Sequence, residues 1–222
     1  MIVGERKPLG DILDMIKDYK KVLVVGCKGC VTVCNVGGEK EVGILASSIR
    51  ISRKKDGNEI TVDERTLERQ CDPEYVDQLK DIVSDYDAMV SIACGVGPQF
   101  LAERYPDAAV YPGINTQFMG GALEHGVWAE RCQGCGACLV HNFGGHCPIA
   151  RCSKSLLHGP CGGSSGGKCE ISKDVDCVWH LIVEKLAKQG KMDSLRKLVP
   201  TKNWSTSRDG GPRKVVREDL KL

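Results

Sequence analysis

Aromatic residues are scarce, at 5% of 222, so any core has to be built from aliphatic side chains. A surplus of one charge sign is missing too. The 31 Lys+Arg stand against 29 Asp+Glu, a formal charge of +2, which gives no electrostatic case for nucleic acid as a partner. No apolar run approaches the roughly 20 residues that a membrane-spanning helix needs. The opening stretch MIVGERKPLGDILDMIKDYKK has neither the apolar stretch nor the small-residue cleavage site of a secretory signal. The expectation is a cytoplasmic protein without membrane insertion, in a compartment that keeps thiols reduced. Several chemistries are also without a motif. There is no P-loop, no catalytic triad and no paired-acid arrangement, and no G-x-G-x-x-G follows the first apolar strand, which argues against a dinucleotide site there. No internal repeat is visible. A wholly disordered chain is excluded by 41% hydrophobic and 27% charged residues.

Cysteine and glycine are abundant instead. Thirteen Cys is an odd number, which a closed set of disulfides does not predict. In a reducing compartment such a density points to metal or iron–sulfur ligation.

The first part of the chain reads as alternating strands and helices. A helical stripe of Leu9, Ile12, Leu13 and Ile16 covers 9–20, and Val22–Val25 is a β-branched strand run. A second helical stripe (Val42, Leu45, Ala46, Ile49) covers 38–53, and residues 59–62 suit a strand. Asp72-Pro73-Glu74 is a helix start, with an N-cap, a proline at the first helical position and an acid in the first turn. That helix is expected to run through Val76, Leu79, Ile82 and Val83. Two further strands are expected at 88–93 and 108–111. Strands alternating with helices imply a mostly parallel sheet, so residues 1–125 are expected to form a small Rossmann-like α/β domain.

Five cysteines fall in the strand-to-helix loops of that domain: Cys27, Cys30, Cys34, Cys71 and Cys94. Such loops gather at the carboxyl edge of a parallel sheet, where α/β folds bind ligands. Helix N-termini there favour a negatively charged group, and a thiolate-ligated cluster is one. Cys27 and Cys94 are therefore expected to converge, with four of the five holding a cluster. A thioredoxin-type redox pair at Cys27 and Cys30 is the rival, weakened by the extra cysteines around it.

Composition shifts near residue 128. Residues 126–192 are expected to form a Cys- and Gly-rich, metal-stapled region with a final helix that starts at Asp174 and ends near Gly190. Cys132-x2-Cys135-x2-Cys138, followed by Cys147-Pro148, has the pitch of a bacterial-ferredoxin loop for a [4Fe–4S] cluster. Its glycines let the backbone curl and aim N–H groups at sulfur. Cys152, Cys161, Cys169 and Cys177 follow at irregular spacing. These eight thiols suffice for two four-thiolate centres, the second either another cluster or a tetrahedral Zn2+. The spacing alone does not partition them. Any of the five histidines (His125, His141, His146, His158, His180) is a weaker ligand candidate. Residues 193–222 read as a polar, basic tail, solvated rather than docked.

Taken together, VVGCKGCVTVCNVGGEKEVGILASSIR, ERQCDPEYV, SIACGVG, CQGCGAC, CPIARCSKSLLHGPCGG and GKCE–DCVW resemble the small subunit of acetogen-type methylenetetrahydrofolate reductase. The same unit occurs elsewhere as the C-terminal domain of methylenetetrahydrofolate reductases. The resemblance covers residues 1 to about 190 and carries over the thirteen cysteines, with no departure at those positions. It implies an iron–sulfur electron-transfer subunit with two [4Fe–4S] clusters, and a Zn2+ or third cluster besides. It also implies a role in the one-carbon chemistry of the acetyl-CoA (Wood–Ljungdahl) pathway. The partner it implies is a separate flavin-containing TIM-barrel catalytic subunit. Heterodisulfide-reductase-like or hydrogenase-linked electron-transfer proteins, or ferredoxin, are the further partners it implies. It assigns no catalytic, flavin or folate residue to this chain.

The length agrees: a (β/α)8 barrel takes about 250 residues, so no barrel catalyst fits here. A metal-stapled structural adaptor, docking the catalytic subunit to other redox enzymes without carrying electrons, is the competing expectation. A metal or redox sensor would call for a DNA-binding basic helix, and none is apparent.

Overall fold

The computed structural model describes residues 1–198 and 200–220 and divides into two units, Met1–Trp128 and Ala129–Leu222.

The first unit is mixed α/β. Its strands are β1 (Ile2–Arg6), β2 (Lys21–Cys27), β3 (Thr61–Leu67), β4 (Ala88–Ser91), β5 (Ala109–Pro112) and β6 (Ile114–Glu124). Its helices are α1 (Leu9–Met15), α2 (Cys30–Val33), α3 (Glu39–Lys55), α4 (Pro73–Val76) and α5 (Val96–Arg104). Four strands form a parallel sheet in the order β3-β2-β4-β5. The β2 run is apolar throughout because both faces of the sheet are covered. Side chains alternate across it. Val22 and Val24 pack with Ile12 and Ile16 of α1 and Val42, Ala46 and Ile49 of α3. Leu23 and Val25 pack on the other side with Met89, Val76, Leu79 and Leu101. Burying each such aliphatic side chain is worth about 1.5–3 kcal/mol.

A feature absent from the sequence reading is the antiparallel pairing of β1 with β6, broken by a register shift at Val3/Gly4. β6 is mostly exposed, so no period-2 apolar pattern marks it.

Two helices are shorter than their periodicity suggests, each for a tertiary reason. The α1 stripe stops at Met15 rather than Tyr19 or Lys20. The buried Arg53 guanidinium donates to the carbonyls of Ile16, Lys17 and Tyr19 at 3.5, 2.8 and 3.3 Å. Those carbonyls turn to a cation in place of a helical N–H. The Asp72 cap forms as expected, its carboxylate accepting from the Glu74 N–H at 3.2 Å. The helix, however, lasts one turn and gives way to 3-10 turns at 77–79 and 83–85. There Tyr105 Oη donates to the Val76 carbonyl at 2.6 Å and Arg104 pairs with Asp77 at 2.5 Å.

The second unit contains the end of β7 (Val127–Cys132), the one-turn α6 (Pro148–Arg151) and α7 (Val178–Lys188). The last helix begins at Val178, not Asp174, because the preceding residues pair elsewhere. The Cys169 N–H donates to the Val175 carbonyl at 2.8 Å and the Cys177 N–H to the Gly167 carbonyl at 2.9 Å. This unit also has a small apolar core: Phe143, Ile149, Leu157, Val178, Trp179, Ile182 and Leu186. Phe143 meets Trp179 edge-on at 5.6 Å, and the indole N–H donates to the Leu156 carbonyl at 3.0 Å.

The tail reading is corrected as well. Lys202 and Ser207 are 6% and 3% exposed, and the segment around them is bonded to the loop that carries Cys135. Among the described residues no helix is long and apolar enough to cross a membrane.

Candidate metal centres

All thirteen cysteines are free thiols. In the first unit, β2 delivers Cys27 at its last position, α2 begins at Cys30, Cys71 precedes the Asp72 cap, and Cys94 follows β4. These points lie along the carboxyl edge of the parallel sheet. A fully buried glutamine ties the edge together. Gln70 Nε2 donates to the carbonyls of Val25 and Gly26, both at 2.9 Å, and its Oε1 accepts from Ser91 Oγ at 2.6 Å. One side chain thus joins the ends of β2 and β4 to the segment carrying Cys71.

Electrostatics report on the resulting proximity. Cys71 is exposed as a residue, yet loss of water around its thiol, followed by the neighbouring Cys27, Cys94 and Cys30 sulfurs, pushes it up. Cys27, Cys94 and Cys30 therefore lie within electrostatic reach of Cys71. Cys34 sits differently. It is 4% exposed, its Sγ donates to the Val31 carbonyl at 3.7 Å, and burial pushes its thiol up despite an N–H from Gly4. Cys30 lies within its electrostatic reach, but Cys34 packs as a core residue.

The second unit divides its eight thiols between two cavities. Cys132, Cys135, Cys138 and Cys147 line one of about 430 Å3, walled on its apolar side by Leu139, Val140, Ile149 and Leu157. Cys152, Cys161, Cys169 and Cys177 line another of about 180 Å3, along with Arg151, Lys154, Glu170 and Asp176. The spacing of the sequence left this partition open. Among the described residues no histidine lines either cavity.

Backbone amides address the sulfurs in both. The Gly134 N–H donates to Cys132 Sγ at 3.3 Å and the Ala150 N–H to Cys147 Sγ at 3.4 Å. The Gly163 N–H donates to Cys161 Sγ at 3.4 Å. The Cys169 thiol is lowered, first by Ser153 Oγ at 3.5 Å and then by the Ile171 and Ser172 amides. Hydrogen bonds to a charged group favour its charged form, and the thiolate is the ligating form of cysteine.

The short helix α6 joins the two cavities, with Cys147 as its N-cap and Cys152 as its C-cap. At about 1.5 Å rise per residue, five steps put these two positions about 8 Å apart along the axis.

Among the described residues, no three or more His, Cys, Asp or Glu side chains are drawn close enough to hold a metal ion directly. The sulfurs surround cavities rather than meet at a point. The donor chemistry is nonetheless selective: all-thiolate sets with amide support suit iron–sulfur clusters or zinc and not hard cations.

No curated protein and no solved structure matches the chain. A family model does, over residues 111–205. That stretch holds both second-unit thiol groups and ends at Ser205, while the first-unit cysteines lie outside it. The family is described as the C terminus of methylene-tetrahydrofolate reductase, and it is this segment of the chain that is similar to it.

Proposed function

We propose that the chain is the iron–sulfur electron-transfer subunit of a methylenetetrahydrofolate reductase complex, passing electrons to the flavin of a separate TIM-barrel subunit. The observation that carries this reading is the division of eight second-unit thiols into two sets of four joined by a single helical turn, with Cys27, Cys30, Cys71 and Cys94 at the edge of the first-unit sheet besides. Clusters bound there would carry single electrons. The chain's own part is to hold thiolates, keep water and bulk charge at a set distance, and turn amide N–H groups toward sulfur. The levers on potential are those hydrogen bonds, burial and net charge.

The two second-unit sites differ in size. The larger, about 430 Å3 and apolar on one side, suits a polynuclear cluster. The smaller, about 180 Å3 and lined by charged side chains, suits a second cluster or a tetrahedral Zn2+, with Zn–S bonds of about 2.3 Å.

The test is anaerobic purification followed by iron, zinc and sulfide analysis per chain and electron paramagnetic resonance after reduction. Iron with matching sulfide and a cubane signal is expected. Colourless protein with zinc alone overturns the relay and leaves a metal-stapled adaptor. In the assembled complex, a Cys71→Ser variant that still folds is expected to lower turnover with the physiological donor while leaving dye-linked activity of the barrel subunit intact. Unchanged turnover with both donors favours the adaptor.

A further inference from the structure

The C-terminal segment does something the sequence did not advertise. Three of its side chains capture three carbonyls of the Cys132–Cys138 loop. Arg213 Nη1 donates to the Gly134 carbonyl at 2.6 Å, Thr206 Oγ1 to the Cys135 carbonyl at 3.0 Å, and Lys202 Nζ to the Ala137 carbonyl at 3.0 Å. The segment is braced for this. Arg213 also donates to the Thr206 carbonyl at 2.8 Å, Lys202 sits over the Trp204 ring at 5.4 Å, and the Ser207 hydroxyl donates to the Trp204 carbonyl at 2.8 Å. Contact with the loop is close. Gly136 has φ +82°, and a Cβ there would lie 2.1 Å from the Thr206 carbonyl oxygen, so no other residue fits.

A trans peptide is planar, with its C=O and N–H pointing in opposite directions. Holding the carbonyls of Gly134, Cys135 and Ala137 toward the segment therefore turns the N–H groups of Cys135, Gly136 and Cys138 away from it. Among the described residues none of these three N–H groups makes a hydrogen bond. The thiol cavity is lined by the loop itself, by Cys147, Pro148 and Ile149 and by Leu157, and by none of the described residues of the segment.

We propose that Lys202, Thr206 and Arg213 form a strap that orients the loop's amides toward the thiol cavity, making them positioning residues for the anionic cofactor bound there. The inference rests on the iron–sulfur reading and names a part of its machinery. Amide dipoles converging on a site favour negative charge, so the strap stabilises the more negative, reduced state and raises the reduction potential. Lys202 lies within the family-matched segment, and Thr206 and Arg213 beyond it.

The test uses the full chain, purified anaerobically, as wild type, Lys202→Met, Arg213→Met, the double variant and Lys202→Arg. Loss of an outer-shell partner typically costs 10–100-fold in metal affinity. Chelator-driven metal release from the double variant is accordingly expected to be at least about tenfold faster. Alkylation of Cys132, Cys135 and Cys138, resolved by peptide mass spectrometry, should accelerate alongside, while Cys27, Cys94, Cys161 and Cys177 keep wild-type rates. The midpoint potential of one cluster should move to more negative values in both Met variants and return in Lys202→Arg. A general loss of fold would speed labelling at all thirteen thiols and would overturn the proposal, as would identical labelling and potential in every variant. Wild-type protein containing neither iron nor zinc would instead overturn the functional reading, and the loop-specific labelling rates would then decide the strap alone.

Discussion

The first-unit thiol group and the two second-unit groups present the same donors on opposite kinds of scaffold. In the first unit the thiols hang from the edge of a parallel sheet with an aliphatic core on each face. The sheet would hold that edge whatever occupied it. In the second unit one seven-residue core supports eight thiols on loops held by glycine turns, amide-to-sulfur bonds and the C-terminal strap. On the proposed function, the comparison teaches that a cluster would be a passenger on one scaffold and part of the structure on the other.

Removing metal is the most severe way to test this contrast. Where a site is assembled only in the folded state, metal binding free energy is folding free energy, and structural zinc sites contribute on the order of 10 kcal/mol. Anaerobic chelation is expected to make residues 129–222 protease-sensitive while leaving a resistant fragment of residues 1–128, read by limited proteolysis and mass spectrometry. Equal resistance of both units would erase the distinction. A core truncation comes next. Trp179→Ala removes a 5% exposed ring and its hydrogen bond, at a cost of about 3–5 kcal/mol. Because the second-unit core is so small, this loss should unfold that unit even with metal bound, whereas Leu23→Ala, of similar cost, should leave the first unit folded. Thermal unfolding followed by tryptophan fluorescence and circular dichroism separates the two.

A milder change sharpens the first-unit half. Gln70→Leu takes a donor from the Val25 and Gly26 carbonyls and the acceptor from the Ser91 hydroxyl at a fully buried position, while the Val25 carbonyl keeps the Ile92 N–H at 2.9 Å. Unsatisfied buried groups cost about 1–3 kcal/mol. The unit should remain folded, but the spacing of Cys27, Cys71 and Cys94 should loosen. The expected result is faster alkylation of those three thiols with second-unit rates unchanged, and Gln70→Glu, whose carboxylate cannot donate to the two carbonyls, should not reverse it. Uniform labelling would remove Gln70 from any role at the thiol edge.

How far the sequence announced this arrangement follows the same contrast. The parallel strands were legible because Val22–Val25 and Ala88–Ser91 are apolar runs with no other place to go. The placement of Cys27 and Cys94 at the same edge of the sheet followed from parallel topology alone. What stayed hidden depends on partners far away in sequence. Arg53 ends α1 by taking its carbonyls, Gly167 and Val175 delay α7, and β6 carries no alternating pattern to announce it. The division of the eight second-unit thiols is set by one helical turn between Cys147 and Cys152, which irregular spacing cannot reveal. Lys202 looked like a tail lysine because nothing local marks a cation that will be buried against carbonyls 65 positions earlier.

The smallest expected effect concerns acid, and it probes the sheet scaffold away from every thiol. Asp87, just before β4, accepts the N–H groups of Lys20 and Lys21 at 2.9 and 2.7 Å. Those two donors, first Lys20 and then Lys21, hold its carboxyl below the ordinary value of 3.8. A carboxyl depressed in the folded state stabilises the fold above its unfolded pKa and loses that contribution as pH falls through the lower folded value. Asp87→Asn keeps an acceptor oxygen but cannot titrate. The first unit of the variant should therefore be slightly less stable at neutral pH and less steeply destabilised below about pH 4, read as denaturant midpoints across a pH series. Parallel acid limbs for the two proteins would mean that the β2–β4 edge does not rely on this carboxylate. The thiol edge at the opposite end of the same strands should keep its labelling pattern in either case, because a rigid sheet absorbs the loss of one surface contact without moving its far end.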